Sequence, residues 1–146
     1  MKDVIITITA TQATQDESDM DTLAEFSTVG AYSHADGCGT ISYFESELTG
    51  MEGTRTCVTI QPHEVVVDRD GTVKSRMVFR EGSKDSFLYS TPFGQATLGV
   101  DTRRIRGSMD ERGGQIEIDY VVDMEHAVVT RNRFQITVRQ RGEQHG

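Results

Sequence analysis

Gln115-Ile116-Glu117-Ile118-Asp119-Tyr120 and Phe134-Gln135-Ile136-Thr137-Val138 alternate polar and apolar residues with a period of two. Successive side chains of an extended strand point to opposite faces, so each stretch describes a strand with one dry and one wet face. The same period recurs between residues 3 and 141, and helical periodicity is almost absent. Strands are read at Asp3–Thr14, Leu23–Ala35, Thr40–Leu48, Arg55–Gln61, Glu64–Asp68, Val73–Glu81, Ser86–Thr91, Ala96–Arg106, Gln115–Glu125 and Val128–Arg141.

The connections between these runs are short. Asp36-Gly37-Cys38-Gly39 and Asp70-Gly71 are hairpin signals, Thr49 to Gly53 is a turn, and Pro62 marks a boundary because it cannot donate to a ladder. Gln15 to Asp21 reads as an acidic connecting loop. About ten strands laid flat would leave two long edges, and closing the sheet removes them. The sequence therefore predicts an all-β, antiparallel up-and-down barrel of about 8–10 strands, as one domain over residues 1–146. A β-sandwich is the alternative, but it needs longer crossover connections.

One slip of register is visible. Ala96, Leu98 and Val100 keep the apolar side on even numbers, whereas Ile105 is odd and lies between Arg104 and Arg106. A strand changes face only by inserting a residue, so a β-bulge is expected near Asp101–Arg104. The alternative is that Arg104 points into the lumen.

The chain has 146 residues, 15 Lys+Arg, 23 Asp+Glu and a net charge of −8. A domain of this size buries roughly 68–70% of its unfolded surface and folds without staples. The negative field disfavours nucleic acid and anionic membranes as partners. No apolar run reaches the ~18–20 residues of a membrane span, and the first twenty residues hold no leader-like apolar stretch. A cytoplasmic, soluble protein is expected. Cys38 and Cys57 then read as two reduced thiols, with a single bridge between them as the alternative. Charge is uneven: Asp16 to Asp21 holds four acids, while Arg131, Arg133, Arg139 and Arg141 crowd the last strand. That basic strand is a solvated outer face, a docking surface for an acidic partner, or the partner of acids on the neighbouring strand.

Tyr43-Phe44-Glu45, Thr49-Gly50-Met51-Glu52-Gly53-Thr54 and Val65-Val66-Val67-Asp68-Arg69-Asp70-Gly71 follow one another in a distinctive order. Met77-Val78-Phe79 with Gly82, Tyr89-Ser90-Thr91-Pro92-Phe93-Gly94 and Gly114-Gln115-Ile116-Glu117-Ile118-Asp119-Tyr120 continue it. Over nearly the whole chain this resembles a bacterial family labelled as domain of unknown function 1934, found chiefly in Gram-positive bacteria. The resemblance implies a calycin-like barrel, related in shape to lipocalins and fatty-acid-binding proteins, and implies no established activity. The chain has no tryptophan, so the Gly-x-Trp signature of lipocalins is missing. Arg133 is followed by Phe134 and Gln135, so the Arg-x-Tyr that grips a fatty-acid carboxylate is missing too.

Apolar parity places Ile41, Val58, Ile60, Phe79, Val100, Ile118, Ile136 and their equivalents inside, and four polar residues share it: Tyr43, Glu45, Thr91 and Asn132. Glu45 is the informative one, because an ionised carboxylate in a low-dielectric lumen needs a partner. Arg55, Arg104, a tyrosine hydroxyl or water are the candidates. Glu45 either sits solvated or paired near the barrel mouth, or forms the polar end of a ligand pocket with Tyr43, Tyr89 and Tyr120, or acts as a general acid–base. His34, His63, His126 and His145 show no metal-binding spacing, and no phosphate-binding glycine loop is present, so no cofactor is expected.

The expectation carried forward is a non-enzymatic barrel that binds a small apolar or amphipathic molecule in its partly apolar lumen. Its candidate ligand-binding residues are Tyr43, Glu45, Tyr89, Thr91, Arg104, Tyr120 and Asn132. The alternatives are a protein-interaction barrel, or homodimer, that uses the arginine-rich last strand, and a small enzyme acting at Glu45.

Overall fold

The computed structural model describes residues 2–14, 21–47, 51–124 and 128–141. The acidic stretch at 15–20, Leu48, the Thr49-Gly50 part of its turn, Glu125, His126 and His145 lie outside the described residues. Ten strands follow in order: β1 (Lys2–Thr14), β2 (Asp21–Ala35), β3 (Cys38–Phe44), β4 (Arg55–Gln61), β5 (Glu64–Asp70), β6 (Ser75–Arg80), β7 (Lys84–Thr91), β8 (Gly94–Asp110), β9 (Gly113–Met124) and β10 (Val128–Gln140).

All ten form one antiparallel sheet in the order β6-β5-β4-β3-β2-β1-β10-β9-β8-β7. Neighbours in space are neighbours in sequence except β1 and β10, whose pairing runs from Val4↔Gln140 to Thr14↔Thr130. The meander thus closes by joining its first and last strands. The two remaining edges, β6 and β7, meet through one bridge, in which Lys74 and Ser90 exchange backbone hydrogen bonds of 2.9 and 3.0 Å. The result is a nearly closed barrel.

Local chemistry accounts for the turns. Asp36 and Gly37 both have positive φ, at 53° and 76°, as a two-residue hairpin turn demands. The turn is tighter than the sequence suggested, since Cys38 already belongs to β3. Both cysteines are free thiols. The expected bulge is present: Thr102 pairs with Tyr120 and Arg104 with Asp119, leaving Arg103 as the inserted residue. Thr102 and Ile105 can then both face inward. A second irregularity at Ala10/Thr11 leaves Leu23 of β2 without a register partner, and Leu23 is exposed.

The interior falls into two parts. Rows such as Ile8–Ile136–Ile116, Ile41–Val58–Val67–Met77 and Ile60–Val65–Phe79 are apolar throughout and pack into one cluster. Nearer the end that carries the β3–β4 and β5–β6 connections, the rows become polar. Tyr43, Thr56, Arg69 and Ser75 are successive partners across β3 to β6, and Gln12, Asn132, Tyr120 and Thr102 across β1, β10, β9 and β8.

Candidate functional site

Glu45 follows the last residue of β3 and keeps the inward parity of Ile41 and Tyr43. Its backbone N–H donates to Thr54 O at 2.8 Å, which carries the pairing one step beyond the strand. The opposing loops are locked together: Thr54 N–H donates to Met51 O at 3.1 Å, and Thr54 Oγ1 accepts Val73 N–H at 3.0 Å. Gly71 makes this close approach possible. It has φ of 143°, and a Cβ there would stand 2.1 Å from Gly53 O.

The Glu45 side chain is 1% exposed. Thr56 Oγ1 donates to its Oε2 at 2.5 Å, and Arg69 Nε lies 3.9 Å from the same oxygen. The Tyr43 hydroxyl is hydrogen-bonded to Glu45 as well. Burial and the carboxylate's charge drive that hydroxyl well above the usual tyrosine range, with Arg69 opposing. Burial pushes Tyr120 up to about 12, again against a pull from Arg69. Both phenols are therefore neutral hydrogen-bond donors at physiological pH and poor participants in proton transfer.

Arg69 is only 13% exposed, its Nη1 donates to Met77 Sδ at 3.7 Å, and its Nε finds no hydrogen-bond partner. Ser75 Oγ and Thr102 Oγ1 are likewise buried without a partner among the described residues. All three atoms belong to the two polar rows, where buried polar groups ordinarily have partners.

A cavity of about 210 Å³ opens onto this cluster. Tyr43, Glu45 and Arg69 form its polar end, and Ile8, Phe26, Met51 and Phe134 are among its apolar walls. Phe26 and Tyr43 stack at a tilt, with centroids 6.5 Å apart. A larger depression of about 430 Å³ includes Arg103, Tyr120, Arg131, Asn132 and Arg133. Two of its arginines are already neutralised: Arg103 lies 3.1 Å from Asp101 and Arg133 lies 2.8 Å from Asp119. The smaller cavity is the better candidate, because it ends on buried, incompletely satisfied groups.

The structure brings together Tyr43 and Glu45 and sets Tyr120 near Arg69. Asn132 is buried beside Tyr120 in register, but its amide is occupied: its Oδ1 accepts Gln12 Nε2–H at 3.0 Å and its Nδ2 donates to Thr130 O at 3.1 Å. Tyr89 packs against the core and does not line the cavity. Thr91 is the last residue of β7, beside the β7–β8 turn, where its Oγ1 accepts Phe93 N–H at 3.1 Å and donates to Gly94 O at 3.3 Å. Arg104 is exposed, so the reading that sends it into the lumen is corrected: the bulge at Arg103 absorbs the change of face. Arg55 is exposed too, and the partner of Glu45 is Arg69. A fifth strand that ends at Asp68, as the sequence reads, leaves Arg69 out of the inward set. Extended to Asp70, it places Arg69 on the inward parity of Val65 and Val67. Thr56 shares the parity of Val58 and Ile60, but a threonine suits either face.

On the arginine-rich last strand, Arg133 pairs with acids of the neighbouring strand. Arg133 Nε lies 2.8 Å from Asp119, and Arg106 of β8 reaches Glu117 at 2.9 Å and Asp119 at 3.2 Å. Such surface pairs contribute about 0–1 kcal/mol each.

Comparison with known proteins agrees with the architecture. Residues 6–136 match the family described as "Domain of unknown function (DUF1934)". The "Uncharacterized beta-barrel protein YwiB" of Bacillus subtilis (strain 168) is 30% identical over 115 residues, which is 79% of each chain. The crystal structure of the ywiB protein from Bacillus subtilis superposes with a TM-score of 0.82 at 24% identity, over 96% of this chain and 92% of that one.

Proposed function

This chain belongs to the DUF1934 family of β-barrel proteins, and from that premise we propose that it is a non-enzymatic, calycin-like carrier or sensor of a small, partly apolar molecule held in the polar end of its lumen. The observation that supports this reading is the cavity beside Glu45 and Arg69. It is walled by Ile8, Phe26 and Phe134, and Tyr43, Glu45 and Arg69 line its polar end. A few convergent polar groups at the end of an apolar recess are what small-molecule sites require. The neutral tyrosines suit holding a ligand better than moving a proton. Titration of the full chain with short amphipathic molecules, followed by amide and methyl chemical shifts, tests the reading. Shifts should cluster on Ile8, Phe26, Met51 and Phe134, and Ala10→Leu should abolish them by filling the cavity while leaving the fold intact. Absence of binding by any such probe, or binding indifferent to Ala10→Leu, would overturn it.

A further inference from the structure

We propose that this luminal site selects uncharged ligands that carry a hydrogen-bond acceptor on a short apolar body, and rejects carboxylates of the same shape. The inference rests on the reading of the lumen as a binding site and adds the ligand's chemistry.

Arg69 has donor capacity to spare: its guanidinium lines the cavity, and its Nη1 turns to a thioether, a weak acceptor. Its charge is not to spare. Glu45 Oε2 lies 3.9 Å away, so cation and carboxylate together present no net charge to the cavity. A ligand carbonyl can accept from the cavity-lining guanidinium while Nε stays turned to Glu45. A ligand carboxylate would place a second anion beside Glu45, whose surroundings are buried and of low dielectric.

A ligand ammonium is excluded for the complementary reason. Glu45 already accepts from Thr56 and Tyr43, and the guanidinium beside it repels a second cation. What remains is a neutral acceptor such as an amide or ketone. The apolar part is short, because about 210 Å³ falls below the roughly 300 Å³ at which drug-sized pockets begin. The same arrangement separates this site from one built to grip a fatty acid, where an unopposed arginine would meet the carboxylate.

Hexanamide, hexanoate and hexylamine, titrated separately into the full chain and read by chemical shift, test the selection. Hexanamide should bind tighter than either charged probe by about tenfold or more, the scale of one partly screened like-charge contact. Glu45→Gln keeps the shape and unmasks the Arg69 charge, so hexanoate should gain about tenfold relative to hexanamide. Hexanoate or hexylamine binding the wild-type protein as tightly as hexanamide would overturn the selection while leaving a luminal ligand site in place. So would an unchanged ranking in folded Glu45→Gln. If none of the three binds, the site itself falls, and the proposal with it. The wild-type ranking decides the question even if the variant does not fold.

Discussion

The two ends of this barrel's interior are built on the same alternation and do opposite work. At one end Ile8, Ile41, Val58, Val65, Ile116, Ile118 and Ile136 fill the lumen, each 4% exposed or less. At the other, the same inward parity carries Tyr43, Glu45, Thr56, Arg69, Tyr120 and Asn132. The dry rows stabilise the barrel by removing apolar area from water, about 25 cal/mol per Å². The polar rows contribute little net stability, since a buried ion pair roughly offsets its own desolvation. A fold that needed only to stand would continue the dry rows to the mouth.

The largest loss is expected at the dry end. Ile118→Ala removes a fully buried side chain between Phe134 and Ile105 and should destabilise the protein by about 4 kcal/mol in urea unfolding. At the polar end Glu45→Ala strands Arg69 and should cost about 3 kcal/mol, the low end for a broken buried pair because the charges stand 3.9 Å apart. The double change Glu45→Leu with Arg69→Met should be close to neutral, within about 1 kcal/mol, yet lose ligand binding. A large loss in the double variant would make the pair a structural necessity and erase the contrast.

Alkali probes the polar end through Tyr43 and Tyr120. The folded-state pKa of Tyr120 is raised from 10.0 to about 12, and that of Tyr43 is raised further still. Above the unfolded value the unfolded chain releases protons that the folded one retains. The associated stability is therefore complete below pH 10 and is lost as the pH climbs through about 12. Tyrosinate absorbance should rise late and together with unfolding, and Tyr120→Phe should remove part of that coupling.

The smallest effect lies outside both regions. Glu81 accepts Ile105 N–H at 2.9 Å in the bulge and lies 2.8 Å from His63 Nδ1, and these contacts, the backbone one foremost, lower its pKa. Its contribution is present above the ordinary carboxylate pKa and is lost as the pH falls through the lowered one. Glu81→Gln should slightly flatten the acid side of the stability profile, measured by thermal unfolding at stepped pH.

Much of this architecture is legible along the chain. Period-two alternation located ten strands, and the parity change before Ile105 located the bulge to within the segment that contains Arg103. Strand ends were less legible, because β8 runs on through Gly107 to Asp110 and β5 through Arg69 to Asp70, where composition suggests turns. Those ends decided the site. Thr91 looked luminal by parity, but a hydroxyl beside a turn is drawn to the turn's own backbone. Arg104 and Arg55 are candidate partners for Glu45 only while the fifth strand stops at Asp68, short of Arg69.

By itself, the sequence determined what each residue's neighbours along the strand require: which face is dry, where the chain reverses and where a face must switch. These follow from the extended backbone, whose geometry is local. The tertiary structure alone decided which strands close on which, that β6 and β7 meet through a single bridge, and that Tyr43, Thr56 and Arg69 stand in one row. Register is a relation between strands distant in sequence, fixed by the simultaneous packing of every inward side chain. No stretch read alone carries that information.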